Sequence, residues 1–150
     1  MGGNYSIFMI IAIASDHAGF KLKESLKKSL LAQKHSVTDL GTTSEDSTDY
    51  PDFAKKIAEG ISKKKADIGV LVCGSGIGMA MAANRFRGVR AAVINDEFDA
   101  EMSRRHNDAN IACFAARKLS EESAKRLLAL WLSTKFEGGR HEKRVKKIEI

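Results

Sequence analysis

The sequence predicts an α/β fold, a parallel sheet covered by helices on both faces. Short apolar, β-rich runs alternate with stretches of helical spacing along the chain, the pattern of successive βαβ units. The strongest run, Ile68 to Cys73, is apolar throughout, as expected of a strand buried on both faces. The 150 residues, with one proline and no low-complexity run, suit a single domain around one core.

Ile10 to Ala14 reads as the first strand. Leu22, Leu26 and Leu30 then recur four apart with lysines between them, which predicts an amphipathic helix. Val37 to Leu40 is a weaker strand closed by Gly41, and Phe53, Ile57 and Ile61 mark the next helix. After the strand at 68–73 come the glycine-rich turn Gly74 to Gly78 and a helix through Met79, Met81 and Ala83. Ala91 to Ile94 reads as a strand, Glu97 to Arg105 as a helix and Ala109 to Phe114 as a strand. Ser120-Glu121-Glu122-Ser123 opens a helix carrying Ala124, Leu127, Leu128 and Trp131, and a last helix follows Gly138-Gly139. Right-handed crossovers put the C-terminal ends of all strands on one edge, where open α/β sheets bind ligands. Ser15-Asp16-His17, Gly41-Thr42, Cys73 to Gly78, Asn95-Asp96 and Ala115 to Arg117 lie there.

The composition, 43% hydrophobic and 29% charged, is that of a globular protein rather than a disordered one. A net charge of +6 favours an anionic partner. Part of it sits in the tail as Arg140, Lys143, Arg144, Lys146 and Lys147, which reads either as an anion site or as a solvated helix face. The two cysteines, Cys73 and Cys113, form neither a disulfide framework nor a CxxC pair, and reduced thiols fit a cytoplasmic protein. No pair of His or Cys has metal-ligand spacing, so no metal is expected. The apolar run Ile7 to Ala14 ends in Ala12-Ile13-Ala14, like a signal-peptidase site, yet no Lys or Arg precedes it. Met1-Gly2 with Ser6 matches a myristoylation pattern and Asn4-Tyr5-Ser6 a glycosylation sequon. Reading the run as a buried strand makes residues 1–8 an extension, with Met9 an equally good start, and 9–150 the domain. No stretch is long enough to span a membrane.

Gly74-Ser75-Gly76-Ile77-Gly78 between strand and helix can turn backbone N–H groups toward an anion, or can simply make a tight turn. It is neither a Walker A loop nor GxGxxG, since Met79 stands where a third glycine belongs. Cys73, directly before it, is either a small buried hydrophobe or a reactive thiol, and its position favours the thiol. Cys113 reads as core. Asp16 and His17 suit acid–base work or anion binding, and Asp16 alternatively caps the following helix. His106, at a helix end before a strand, is a C-cap or a functional group. His35 has no evident partner.

Six motifs now fall in one order: Ser15 to Phe20; Gly41-Thr42 with Asp49-Tyr50-Pro51; Cys73 to Gly78; Ala82 to Arg85; Arg105 to Asp108; and Glu137 to His141. From about Met9 to its end the chain resembles the type B ribose-5-phosphate isomerases, a family shared with galactose-6-phosphate isomerase subunits. The resemblance implies a three-layer α/β/α, Rossmann-like fold with a five-stranded parallel sheet of order 2-1-3-5-4. It also implies a homodimer, or a dimer of dimers, with active sites shared between subunits and no cofactor. The implied activity is interconversion of ribose 5-phosphate and ribulose 5-phosphate through a cis-enediolate, in the pentose phosphate pathway.

By the same resemblance Cys73 is the base, His106 opens the sugar ring with Asp16, and Ser75 passes a proton between oxygens. Asp16 and Asn107 contact the sugar, and Gly74, Ser75, Gly76, Ile77 and Gly78 hold the enediolate. His17, Arg140 and Arg144 belong to the phosphate region, and Arg117 reaches the ligand from the partner subunit. A branch of the family uses a glutamate at the position of Met79; this chain has the thiol instead. The expected partner is a sugar phosphate, not nucleic acid or membrane. Two alternatives stand: a six-carbon substrate such as allose or galactose 6-phosphate, and a non-catalytic phosphate-binding or nucleic-acid-binding module. Cys73, Asp16 and His106 lying in or near one site edge would favour the enzyme.

Overall fold

The computed structural model describes residues 8–149. The N-terminal lipidation and glycosylation patterns lie outside them, as does nearly all of the predicted extension. Elements run β1 (Ile10–Ser15), α1 (Phe20–Ala32), β2 (Ser36–Asp39), α2 (Tyr50–Ser62), β3 (Ile68–Cys73) and α3 (Ile77–Ala83). They continue as β4 (Ala91–Val93), α4 (Glu97–Arg105), β5 (Ile111–Ala115), α5 (Glu121–Ser133) and α6 (Arg140–Lys146). The five strands are all parallel and ordered β2-β1-β3-β5-β4. No helix among the described residues is long and apolar enough to cross a membrane.

Alternation along the central strands divides the core between two faces. Ile11, Ile13, Val70, Val72, Ala112 and Phe114 pack against Leu22, Leu26 and Leu30 of α1 and Leu127, Leu128 and Trp131 of α5. Ala12, Ala14, Leu71, Cys73, Ile111 and Cys113 pack against Ala54, Ile57 and Ile61 of α2 and Met79, Ala80 and Ala83 of α3. Both faces of β3 are therefore covered, which is why its sequence lacks alternation. Ser120 caps α5 as its motif predicts, accepting the Ser123 N–H at 3.1 Å.

The last strand starts two residues later than the apolar run suggests. Asp108 turns with φ +49°, the Ala109 N–H goes to the Ser103 carbonyl at 2.9 Å, and the chain is paired with β3 only from Ile111. Ala109 completes the turn out of α4, and Asn110 leads into the sheet, its carbonyl accepting the Gly69 N–H and its N–H donating to the Arg90 carbonyl, both at 2.9 Å.

Candidate active site

At the C-terminal edge of the sheet the loops after β1, β3 and β5 and the N-terminus of α2 enclose a cleft of about 500 Å³. Asp16, His17, Tyr50, Cys73 to Ser75, Ile77, Gly78, Asn95 and Arg117 line it. A cleft of this volume suits a small ligand.

Asp16 is buried and its backbone N–H donates to the Val72 carbonyl at 3.2 Å, stitching the β1 loop to β3. Its Oδ1 accepts the Gly19 N–H at 3.0 Å, one position before α1. The carboxylate thus stabilises the helix approach and faces the cleft at once. His17 is held from both sides by Thr48: its backbone N–H donates to Oγ1 at 3.1 Å, and the Thr48 N–H donates to Nδ1 at 3.1 Å. With Nδ1 accepting, the proton of the neutral ring belongs to Nε2, so His17 offers a donor.

Cys73 ends β3, and its Sγ accepts the Gly76 N–H at 3.1 Å, a contact that stabilises charge on sulfur. Gly76 has φ +76°, a conformation that aims this N–H back at the sulfur and that glycine adopts without penalty. At Gly78 a Cβ would come within 2.6 Å of the Tyr50 ring, so the small residue lets the tyrosine cover the loop. The Ser75 Oγ accepts the Ile77 N–H at 3.2 Å. Cys113 lies deeper on the same face, and burial first, then Cys73, pushes its thiol far up; it is core. Met79 is fully buried, so the position of the family's alternative carboxylate belongs to the core here.

The Arg117 N–H donates to the Gly74 carbonyl at 3.1 Å, and its guanidinium packs against Gly74. This corrects the expectation that Arg117 comes from a partner: β5 neighbours β3, so its following loop runs beside the chain's own Cys73.

His106, Asn107, Arg140 and Arg144 are not among the residues lining this cleft. His106 is the C-cap of α4 and precedes β5, which places it at the N-terminal edge of a parallel sheet, opposite Cys73. The expectation that Cys73, Asp16 and His106 share one edge is therefore wrong within one chain. Asn107 instead lines a second cleft of about 330 Å³ with Arg85, Arg87 and Arg90. The His106 ring stacks on His141 with centroids 4.1 Å apart and planes 12° from parallel. The Glu137 Oε2 lies 3.5 Å from the His106 Nε2.

Ligand atoms of His106, Glu137 and His141 fall within 4.8 Å of one another, a set that sequence spacing did not reveal. Parallel rings send their lone pairs side by side rather than toward one point, and Arg105 already binds Glu137 Oε2 through its Nε at 3.0 Å. This arrangement fits a histidine stack held beside a carboxylate better than a metal cage. Burial, followed by the charges of His106 and Arg140, holds His141 below the ordinary imidazole range.

Sequence reasoning missed a role for Tyr50, Asn95 and Lys118 in the cleft and for Glu137 and His141 beside His106. Tyr50, Glu137 and His141 sat inside quoted motifs, and Asn95 on the predicted edge; Lys118 carried no such signal.

Residues 11–148 match the family model described as Ribose/Galactose Isomerase. The chain is 41% identical to ribose-5-phosphate isomerase B of Escherichia coli, over 92% of its own length and 93% of the relative's. Among solved structures it is similar to a ribose 5-phosphate isomerase of Thermotoga maritima, with TM-score 0.92, 50% identity and coverage of 94% and 97%. It is also similar to ribose-5-phosphate isomerase B of Mycoplasma genitalium with bound ribulose-5-phosphate, with TM-score 0.89, 39% identity and 92% coverage of each chain.

Proposed function

The chain belongs to the ribose/galactose isomerase family, and on that premise we propose that it is an aldose–ketose isomerase interconverting ribose 5-phosphate and ribulose 5-phosphate. The observation that carries the reading is the cleft itself. A thiol whose sulfur accepts the Gly76 N–H faces the same 500 Å³ space as the Asp16 carboxylate, the His17 Nε2 donor and Arg117. A base beside anion-binding groups is what proton transfer on a phosphorylated sugar requires.

Ribose 5-phosphate is mainly a closed ring, so reaction starts with opening, assigned to His106 with Asp16. Cys73 thiolate then takes the C2 proton, and backbone N–H groups of residues 74–78 stabilise the cis-enediolate. Ser75 moves a proton between O1 and O2, and return of the carbon-bound proton to C1 gives ribulose 5-phosphate. His17, Arg140 and Arg144 hold the phosphate, while Asn107 and Arg117 contact the ligand.

A complete site on this reading needs His106, Asn107, Arg140 and Arg144 from a second copy. Their place at the opposite sheet edge supports a homodimer with shared sites. The free thiols Cys73 and Cys113 support a reducing, cytoplasmic setting. Membership of the family, matched over residues 11–148, supports 9–150 as the functional domain.

The test is turnover of the pure chain on ribose, allose and galactose phosphates. Ribose 5-phosphate should give the highest kcat/KM. Absence of turnover on all of them would overturn the proposal, and preference for a six-carbon sugar would correct its substrate.

A further inference from the structure

His106 stands at the end of a helix, where a side chain commonly has rotameric freedom, yet two groups from a distant part of the chain hold it. The Glu137 N–H donates to the Arg105 carbonyl at 3.0 Å, fastening the segment before α6 to the end of α4. The Glu137 carboxylate then bridges the Arg105 Nε at 3.0 Å and the His106 Nε2 at 3.5 Å. His141, in the first turn of α6 and only 5% exposed, lays its ring on the His106 ring at 4.1 Å. One edge and one face of the imidazole are therefore occupied, although its side chain keeps 36% exposure.

We propose that Glu137 and His141 are positioning residues for His106: the carboxylate keeps the proton on Nε2 and the stacked ring fixes the plane, so that His106 works on the sugar through Nδ1. The inference rests on the reading of His106 as the ring-opening group. In that step the O1 proton passes to Nδ1, the C1–O4 bond breaks as C1=O1 forms, and the same proton passes to O4, leaving His106 as it began. Between the two transfers the ring is an imidazolium, which Glu137 stabilises. Opening demands that Nδ1 reach both oxygens, so small displacements of the ring are costly. Proton transfer at carbon belongs to Cys73 and does not use this assembly.

The two steps can be separated, because ribulose 5-phosphate has no free hydroxyl placed to close a stable ring. His141→Ala and Glu137→Gln should each lower turnover of ribose 5-phosphate about tenfold to a hundredfold. Both should keep, within about twofold, the rate at which the C1 position of ribulose 5-phosphate takes up deuterium from deuterium oxide, followed by proton NMR. His141→Phe, which retains a stacked ring, should recover most of the lost turnover. The inference is overturned if deuterium uptake falls in parallel with turnover, if His141→Phe is as slow as His141→Ala, or if neither truncation changes turnover. His106→Ala is the reference. Full ribose 5-phosphate turnover in it would remove the underlying reading, whereas loss there with none in its neighbours would remove this inference alone.

Discussion

Cys73 and Cys113 point to the same face of adjacent strands, and their chemistry diverges through position along the sheet. Cys113 pairs in register with Leu71, inside the core, where burial suppresses its thiolate. Cys73, two residues further along β3, reaches the cleft and meets a backbone N–H at 3.1 Å. On the proposed mechanism the sulfur acts on a proton and contributes little to holding the phosphate, so Cys73→Ala should separate chemistry from binding. We expect kcat to fall about a thousandfold, with the affinity for ribose 5-phosphate, measured calorimetrically, changed by about twofold or less. Undiminished kcat would show that another group is the base.

At the scale of elements, the loop that carries Thr48, and through it His17, begins where α1 and β2 are tied together by charge. Lys23 of α1 is 1% exposed and donates to both Asp39 oxygens, at 3.0 and 2.8 Å, and to the Thr42 carbonyl at 2.6 Å. Lys27 adds a contact to Asp39 at 2.8 Å. Burial alone would raise the Asp39 carboxyl; hydrogen bonds from Lys23, Lys27 and the Gly41 N–H outweigh it and hold the group below its ordinary value of 3.8. A depressed carboxyl stabilises the fold fully above its unfolded pKa, and that stability is lost as pH falls through the lower folded value. Asp39→Asn, which leaves buried Lys23 with only the more exposed Glu24, 3.1 Å away, as countercharge, should cost about 3 kcal/mol at neutral pH in urea unfolding. The loss relative to the parent should shrink below about pH 4, where the parent's own carboxyl protonates. A constant difference down to pH 2 would show that the amide fails for packing reasons instead.

For the whole molecule, Cys73 and His106 lie at opposite edges of the sheet, so on the proposed reading a single chain presents two half-sites. In the proposed homodimer, two-fold symmetry would turn both into complete sites at once. Cys73→Ala and His106→Ala homodimers should each be nearly inactive. In a mixed dimer one site lacks both groups and the other keeps both. Co-expression in equal amounts makes about half the dimers mixed, so activity should return to about a quarter of the parent. No recovery, with mixed dimers verified by native mass spectrometry, would mean that the two residues serve one chain's site.

Local chemistry was legible before any coordinates. Apolar runs placed every strand to within about two residues, and spaced apolar residues marked the buried faces of the longer helices, because burial on the sheet imposes a period that side chains must follow. The motif at 73–78 identified the strand end that bears the thiol, because glycines and a cysteine in that order serve few other structural ends. What the linear pattern could not carry was distance between segments remote in sequence. That Arg117 lies beside Gly74 follows from β5 pairing with β3, and that His106 lies away from Cys73 follows from the parallel direction of β5. The grip of Glu137 and His141 on His106 likewise arises only when the chain after α5 returns to the end of α4. Sequence period reports which face of an element is buried; which residues meet across elements is decided by packing of the whole chain.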